Sequence, residues 1–221
     1  MTTPQAIGFE SIDTAPRLDG GEIHVWHIAA DPGDGSVAKT AHAALARFLC
    51  FYAGLVRAPT IERAQHGKPF SPELPDLDFN LSHAGAHVLL AFARAQALGI
   101  DLEHGERQVS LPEIAHRFFA PAEAQALDRM SPARRQSAFL ELWTRKEAVL
   151  KALGAGLQFG LARVEFTVEQ DGAVGALAHI APEGGCTADW RVLALRPAAG
   201  LIGALAWRGP QRSVRAFRLA P

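Results

Sequence analysis

Two carboxylates stand two residues apart in an apolar stretch of the sequence. The stretch reads Gly-Ile-Asp-Leu-Glu and contains Asp101 and Glu103. If it forms a strand, both side chains project to the same face, where they repel each other. A cation would relieve that repulsion, and ligation by oxygen alone suits Mg²⁺. The alternative is that both carboxylates lie in water at the edge of a sheet.

A third carboxylate lies in a stretch with helical spacing, which reads Leu-Trp-Thr-Arg-Lys-Glu-Ala-Val-Leu-Lys. Trp143, Glu147 and Lys151 step by four residues and therefore share one face of a helix. Lys146 stands beside them. An exposed Glu–Lys pair at this spacing is common and stabilises a helix by only a few tenths of a kcal/mol. Because a tryptophan ring favours burial, we interpret this face as the wall of a pocket.

Two shorter motifs offer groups that suit a phosphate. In His-Gly-Lys-Pro-Phe, Lys68 follows Gly67, which lets backbone approach a ligand, and precedes Pro69, which stiffens the chain. In Asn-Leu-Ser-His, Ser82 and His83 precede a glycine-containing turn whose amides could help to bind an anion. The alternatives are an ordinary surface loop and a structural histidine. A serine hydrolase is disfavoured because no Gly-x-Ser-x-Gly elbow surrounds the serine.

Local patterns predict which elements position these motifs. Apolar residues at helical spacing predict helices at 37–56, 111–119, 121–130 and 132–153. The last of these is capped by Ser131, opened by Pro132 and stopped by Gly154. Strands are predicted at 21–30, within 79–93 on both sides of a turn, and at 97–104, 161–169, 189–196 and 201–207. The link Ala95–Ala97 is short enough for a hairpin, and residues 1–21 are expected to be irregular.

The two halves of the chain resemble each other weakly. Residues 84–94 and 198–208 both run from small residues through an apolar stretch to an aromatic residue and an arginine. Each half also pairs a long helix with strands. We therefore expect an α+β fold of two similar lobes with pseudo-twofold symmetry, each a small antiparallel sheet packed on a long helix. The expected division is an N-terminal lobe at 1–95 and a C-terminal lobe at 96–221.

Composition excludes several classes of protein. The 221 residues carry a formal net charge of −1 and no block of like charge, which disfavours a nucleic-acid partner. The amino terminus lacks the pattern of a signal peptide, and no run of 18 apolar residues predicts a membrane span. Cys50 and Cys186 cannot make a disulfide framework, and two free buried thiols are favoured over one cross-link. The expected compartment is the cytoplasm.

The order and spacing of the motifs are more specific than any one motif. Gly-Lys-Pro-Phe, Phe-Asn-Leu-Ser-His-Ala, Gly-Ile-Asp-Leu-Glu and Trp-Thr-Arg-Lys-Glu-Ala-Val-Leu-Lys follow one another in this chain. Together they resemble the signature of the Sfp-type, pseudo-dimeric 4′-phosphopantetheinyl transferases, over roughly residues 38–166. The resemblance implies transfer of the 4′-phosphopantetheine arm of coenzyme A to a serine of an apo acyl or peptidyl carrier protein, with release of adenosine 3′,5′-bisphosphate. It also implies a monomer, since one chain carries both halves.

The resemblance further implies roles for individual residues. The acidic positions around Mg²⁺ are matched by Asp101, Glu103 and Glu147. The positions that bind coenzyme A are matched by Lys68, Pro69, Ser82, His83, Lys146 and Lys151. The expected catalytic residues are Glu147, Lys151 and Asp101. Of these, Glu147 is the first candidate to remove the serine proton, directly or through a metal-bound water, and Lys151 would steady the pyrophosphate.

One region departs from the family pattern. Members usually carry basic residues on and before the first long helix, where they meet the 3′-phosphate and the adenine of coenzyme A. This chain offers Lys39, His42 and Arg47 there, after an acidic loop. We expect Lys39 or His42 to take that role; otherwise coenzyme A binds more weakly.

The carrier is expected to dock beside the cleft on the second lobe. Phe118 and Phe119 could contribute apolar contacts, or could equally be core residues. Arg117 or Arg145 could steer an acidic carrier helix. Two other functions stay open: a degenerate homologue that binds coenzyme A or carriers without transfer, and an unrelated Mg²⁺-dependent phosphohydrolase. The latter would leave the Gly-Lys-Pro and Asn-Leu-Ser-His motifs unexplained.

Overall fold

The computed structural model describes residues 7–30, 36–105 and 111–219, which form an α+β fold. The helices are α1 (Val37–Ala53), α2 (Leu111–Phe118), α3 (Pro121–Asp128) and α4 (Pro132–Leu153). The first strands are β1 (Phe9–Ile12), β2 (Glu22–Ala29), β3 (Glu62–Arg63), β4 (Pro69–Phe70), β5 (Leu77–Ala84) and β6 (His87–Arg94). The remaining strands are β7 (Leu98–His104), β8 (Val164–Val168), β9 (Val174–Ile180), β10 (Trp190–Leu195), β11 (Leu201–Arg208) and β12 (Ser213–Leu219). None of the helices in these ranges is long and apolar enough to cross a bilayer.

The larger sheet has the strand order β1-β12-β2-β6-β5. The carboxyl-terminal strand β12 lies between β1 and β2 and runs parallel to both. Its Phe217 is buried and packs against Trp26 of β2, with the ring centroids 4.9 Å apart. The expected division at residue 95 therefore does not describe this strand, because residues 213–219 complete a sheet made otherwise by the first half of the chain.

The smaller sheet has the antiparallel order β10-β11-β7 and packs against α4. Gly99 in β7 permits this contact, because a Cβ at that position would lie 2.1 Å from the carbonyl oxygen of Ala148 in α4. The strands β6 and β7 belong to different sheets. The expected hairpin across Ala95–Ala97 is therefore wrong, and the chain crosses there from one sheet to the other, with Ala95 at a φ of 47°.

Elements that begin and end on local signals agree with the sequence predictions. α4 has the predicted bounds, and it stops at Gly154 in the left-handed conformation, with φ 68°. α1 ends three residues earlier than predicted, at another left-handed glycine, Gly54. The strands β1, β3, β4, β9 and β12 were not predicted. Both cysteines are free, as expected, but Cys186 is exposed and Cys50 only half-buried.

A row of buried apolar side chains from both sheets forms the seam between them, and a histidine pair lies at one end of it. His27 on β2 is buried, and its Nε2 lies 3.1 Å from Nδ1 of His87 on β6. Burial, the neighbouring His87 and Arg218 lower the pKa of His27 to about 4. This imidazole is therefore neutral in the folded protein at neutral pH.

We expect acid to destabilise the protein through His27. The unfolded chain takes up a proton at this imidazole near pH 6.5, whereas the folded chain takes it up only near pH 4. The stability that depends on neutral His27 is thus present above pH 6.5 and is lost as the pH falls towards 4, by up to about 3 kcal/mol. Urea denaturation at pH 7 and pH 4.5 measures the loss, which His27→Gln should reduce and His179→Gln, at an exposed position, should not. An unchanged pH dependence in His27→Gln would contradict this assignment.

Candidate active site

The four motifs meet at one cavity of about 700 Å³. Its walls come from α1, the turn between β3 and β4, the strand β5 and the carboxyl-terminal half of α4. The predicted site residues that line it are Lys68, Pro69, Ser82, His83, Glu147 and Lys151. The first half of the chain supplies four of these residues and the second half supplies two, so the cavity is complete only when both halves are folded together.

Asp101 does not itself line the cavity, but it holds two side chains that do. Its Oδ1 accepts hydrogen bonds from Ser82 Oγ at 2.9 Å and from Lys151 Nζ at 2.7 Å. Its Oδ2 is buried and has no hydrogen-bond partner. A buried carboxylate oxygen without a partner is costly, so this atom is suited to a ligand that supplies positive charge or a proton.

β7 is an edge strand of its sheet, and side chains of the motifs form hydrogen bonds with backbone groups along its free edge. Lys68 Nζ donates to the carbonyl oxygens of Leu98 at 3.0 Å and of Ala152 at 3.2 Å. Asn80 Oδ1 accepts from the amide of Ile100 at 3.0 Å, and Lys151 Nζ donates to the carbonyl oxygen of that residue at 3.0 Å. Part of the motif spacing therefore serves to hold the two sheets together beside the cavity.

Glu147 projects from α4 into the cavity. Burial, reinforced by the negative charges of Asp101 and Glu103, raises the pKa of this carboxyl to about 7, although Lys151 opposes the rise. Glu103 does not line the cavity, but its charge acts on Glu147. At neutral pH Glu147 is poised to accept or to release a proton.

The three carboxylates stand close enough to interact, yet among the described residues no three histidine, cysteine, aspartate or glutamate side chains are arranged to hold a metal ion. The chemistry of the donors fits a divalent cation all the same. They offer oxygen atoms only, they repel one another, and Asp101 Oδ2 has no partner.

Two predicted ligands of coenzyme A do not reach the cavity. The Lys146 side chain points in a different direction from that of Glu147, because successive residues of a helix are rotated by about 100° around its axis. Its ammonium is completely buried, 2.6 Å from the carboxylate of Glu123. It also donates to the carbonyl oxygens of Leu161 and Val164. Lys146 is therefore a core residue, and the prediction that it binds coenzyme A is wrong.

Lys39 is the second correction. It is exposed on α1 and lines a separate cavity together with Arg47, whereas Ala38, Ala41 and His42 of the same helix line the candidate site. The helix turns Lys39 away from the site, so of the expected basic residues of α1 only His42 remains there.

Only part of the α4 face that was predicted to form a pocket wall lines the cavity. Glu147 and Lys151 line it, but Trp143 stacks on Phe139 instead, with ring centroids 5.9 Å apart. Of the two phenylalanines after β7, Phe118 is exposed, and Arg117 lies over its ring at 5.0 Å.

The other expected docking residues are not surface contacts. Phe119 is buried and belongs to the core. The Arg145 side chain is only 12% exposed and donates to the carbonyl oxygen of Gly175. Neither side chain is available to steer or contact a carrier in the way expected from the sequence.

Several residues of the cavity had not been singled out in the sequence. They lie in the turn between β3 and β4 and in the loop after α4, and include Arg63, Gln65, His66, Leu157 and Gln158. The short strands Glu62–Arg63 and Pro69–Phe70 flank the Gly-Lys-Pro motif, so a hairpin prediction there was the available signal.

Part of the chain that forms this site is similar to known proteins. A family model described as the 4′-phosphopantetheinyl transferase superfamily matches residues 97–192. The 4′-phosphopantetheinyl transferase Sfp of Bacillus subtilis strain 168 is 40% identical over 110 residues, which are 50% of this chain and 48% of that protein. Another 4′-phosphopantetheinyl transferase of Bacillus subtilis is 36% identical over 110 residues. These residues are 50% of this chain and 48% of that protein.

A more distant relative is AcpT of Escherichia coli K12, a 4′-phosphopantetheinyl transferase 35% identical over 97 residues, 43% of this chain and 49% of that protein. The chain thus spans about half the length of the curated relatives it matches. The matched stretch contains Asp101, Glu103, Glu147 and Lys151. The resemblance is therefore confirmed over residues 97–192, the part of the chain that matches the model of the 4′-phosphopantetheinyl transferase superfamily.

Proposed function

We propose that this protein transfers the 4′-phosphopantetheine arm of coenzyme A to a serine of an apo acyl or peptidyl carrier protein and releases adenosine 3′,5′-bisphosphate. The observation that carries the proposal is that Ser82, Lys151 and Glu147 line one cavity and all interact with Asp101. Cationic and hydrogen-bonding groups for phosphates and carboxylates for a metal thus lie side by side, which is the mixture that a pyrophosphate substrate requires.

The proposed transfer is a displacement at the β-phosphorus of coenzyme A. The carrier serine oxygen forms a bond to this phosphorus, and the bond to the oxygen of the adenosine-side phosphate breaks. Glu147 accepts the serine proton, for which a pKa of about 7 is well matched at neutral pH. Lys151, held at 2.7 Å by Asp101, presents its ammonium towards the departing phosphate.

The ligands proposed for Mg²⁺ are Asp101, Glu103 and Glu147. When bound, the ion would neutralise charge on the pyrophosphate. The positions proposed to contact coenzyme A are Lys68, Pro69, Ser82, His83 and Lys151. Because Lys68 donates hydrogen bonds to two carbonyl oxygens, it also holds the cavity wall in place.

Binding of Mg²⁺ is expected to release protons at neutral pH. Because the pKa of Glu147 is about 7, about half of the carboxyl groups are protonated at pH 7, and a cation displaces that proton. Calorimetric titration with Mg²⁺ in buffers of different ionisation enthalpy should give about half a proton per ion at pH 7 and almost none at pH 9. Glu147→Gln should release none, and equal release from this variant and the native protein would exclude Glu147 as the source.

The proposal extends to the carrier and to the whole fold. Exposed Phe118 and Arg117 give an apolar and basic contact beside α4 for an acidic carrier helix. We further propose that the sheet with α1 and the sheet with α4 are two lobes related by a pseudo-twofold axis. Since one chain supplies both walls of the cavity, the protein is proposed to act as a monomer in the cytoplasm, without a nucleic-acid or membrane partner.

Intact-mass spectrometry tests the reaction directly. An apo carrier protein is incubated with this protein, coenzyme A and Mg²⁺, and a matched sample contains EDTA. The expected result is a gain of one phosphopantetheine arm on the carrier, lost with EDTA. Carriers from fatty-acid, polyketide and peptide synthesis are compared in parallel.

The rival functions give different results in the same assay. Coenzyme A that binds without any gain of mass on any carrier indicates a degenerate binder. Hydrolysis of coenzyme A with no modified carrier indicates a phosphohydrolase. Either outcome would overturn the proposed transfer.

A further inference from the structure

A second cavity, of about 830 Å³, shares no lining residue with the candidate active site. From α4 it is lined by Arg134, Glu141 and Arg145, and most of its other residues come from β9, β10 and the residues that flank these strands. Arg145 lies two residues before Glu147, so the two side chains are rotated by about 200° around the axis of α4. This cavity therefore lies on another side of the helix, and we call it the α4–β10 cavity. Its volume is within the range of small-molecule sites.

Positive charge exceeds negative charge in the α4–β10 cavity. Its charged lining residues are Arg134, Arg145, Arg196 and Glu141, so three positive charges against one negative leave a net charge of +2 among the described residues. Arg196 Nη2 contacts Oε1 of Glu141, whereas Arg145 Nη2 lies 4.0 Å from Oε2 of the same carboxylate. Arg134 is exposed and takes part in none of the ion pairs found among the described residues. One carboxylate thus cannot neutralise the three guanidiniums.

Arg145 is the most buried of the three arginines, and one of its donors has no partner. Its side chain is 12% exposed, and its Nη1 donates to the carbonyl oxygen of Gly175 at 2.8 Å. Its Nε is buried and makes no hydrogen bond with the described residues. Burial lowers the pKa of this guanidinium, and the charge of Arg196 adds to the shift, although Glu141 opposes it. Because a buried charge with an unpaired donor is costly, an anion in the cavity would stabilise this arginine.

The rest of the α4–β10 cavity is apolar. Its nine other lining residues are apolar or glycine, and the larger ones are Ile7, Val174, Val192 and Leu193. The nearby carboxylate of Asp171 does not line the cavity and accepts a hydrogen bond from a backbone amide. Walls of this kind favour a ligand with an apolar body over a hydrated inorganic ion.

We infer that the α4–β10 cavity binds a small organic dianion, in which two negative charges on oxygen atoms are attached to an apolar body. Two negative charges match the net charge of the cavity. Arg145 and Arg196 offer planar guanidiniums, which bind a carboxylate or a phosphate ester through paired hydrogen bonds. The apolar body would pack against Val192 and Leu193. This site is additional to the proposed transferase site, and the inference does not rest on the proposed function.

Calorimetric titration of the whole chain with four probes tests this inference. Isophthalate is a dicarboxylate and phenyl phosphate is a phosphate ester, and both have an aromatic body. Benzamide has a similar body without the charge, and inorganic phosphate has the charge without the body. We expect at least one of the two aromatic dianions to bind with a Kd of about 1 mM or below, the range of a ligand of this size. It should bind more tightly than benzamide and inorganic phosphate, and the preferred dianion identifies the chemical source of the charge.

Two variants with opposite expected effects assign the binding to this cavity. Arg196→Gln removes one guanidinium and should weaken binding of the preferred dianion at least about 10-fold, the effect of a lost charged hydrogen bond. Glu141→Gln removes the competing carboxylate and should strengthen binding roughly 3-fold. A merely structural role of these residues would lower the affinity in both variants. Arg129→Gln, at an exposed position outside the cavity, should bind as the native protein does.

Three results would overturn the inference. The first is that neither aromatic dianion binds to the native protein. The second is that Arg196→Gln and Glu141→Gln bind the dianions as the native protein does, since the ligand then occupies another site. The third is that inorganic phosphate binds as tightly as phenyl phosphate with the same loss in Arg196→Gln, which refutes a ligand with an apolar body. Melting temperatures close to that of the native protein exclude unfolding as the cause of weaker binding in the variants.

Discussion

Glu147→Gln is expected to lower the proposed phosphopantetheine transfer at least about 100-fold, the usual contribution of a positioned general base. Glutamine keeps the size of the side chain but cannot accept the proton of the carrier serine. It also removes one of the proposed metal ligands. Initial rates of holo-carrier formation, followed by intact mass at saturating coenzyme A and Mg²⁺, measure the loss.

The fold of the Glu147→Gln variant should stay intact. Burial and two neighbouring carboxylates raise the pKa of Glu147, so its ionised form is disfavoured in the folded state. A neutral glutamine relieves that repulsion, and the melting temperature should be unchanged or higher. Glu169→Gln, which is exposed on the turn before β9, is the matched control and should keep full activity.

Asp101→Ala is the companion variant. It should abolish transfer as well, because it releases Ser82 and Lys151 together. Full activity in either Asp101→Ala or Glu147→Gln would refute the proposed metal and base assignments.

Lys146→Met is expected to destabilise the protein by about 3–5 kcal/mol, because it leaves a buried carboxylate without its counterion. The partner is Glu123, whose oxygens accept hydrogen bonds from the amides of Ala120 and Phe166 as well as from the lysine. This buried network joins α3, α4 and β8. Urea denaturation of the native protein and the variant measures the change in the free energy of unfolding.

A double variant separates the ion pair from the packing around it. Lys146→Met combined with Glu123→Gln removes both charges and should recover part of the lost stability. Lys39→Met, on the exposed side of α1, should change the free energy of unfolding by less than about 0.5 kcal/mol. If Lys146→Met were as stable as the native protein, the ammonium would contribute nothing to the core.

Sequence reasoning succeeded where the signal is local. The bounds of α4 follow from Pro132 at its start and Gly154 at its end, and both act within one turn of the chain. The structure brings the motifs of α4, β5 and the Gly-Lys-Pro turn to one cavity. Residue types and spacing carry that information because each element presents a known face.

Sequence reasoning failed where strand pairing or burial depends on residues that are distant in the chain. β12 pairs with strands that lie 191 residues (β2) and 207 residues (β1) earlier in the chain. Its seven residues, with two arginines, have no apolar run that predicts a buried partner. Two adjacent residues of α4 lie in different environments: Glu147 lines the cavity and Lys146 is buried in the core. A helical pattern shows that they diverge, but not which of them meets the core.

The sequence by itself indicated the proposed chemistry of this protein: three carboxylates, motifs suited to phosphate in the order that the family shows, and most of the helices and strands that carry them. Only the tertiary structure decided which of the basic residues line the candidate site. It placed Lys146 and Lys39 outside the site and Arg63 within it. The physical reason is that residue type and period depend on the chain alone, whereas the burial or neutralisation of a charge depends on what other parts of the chain pack against it.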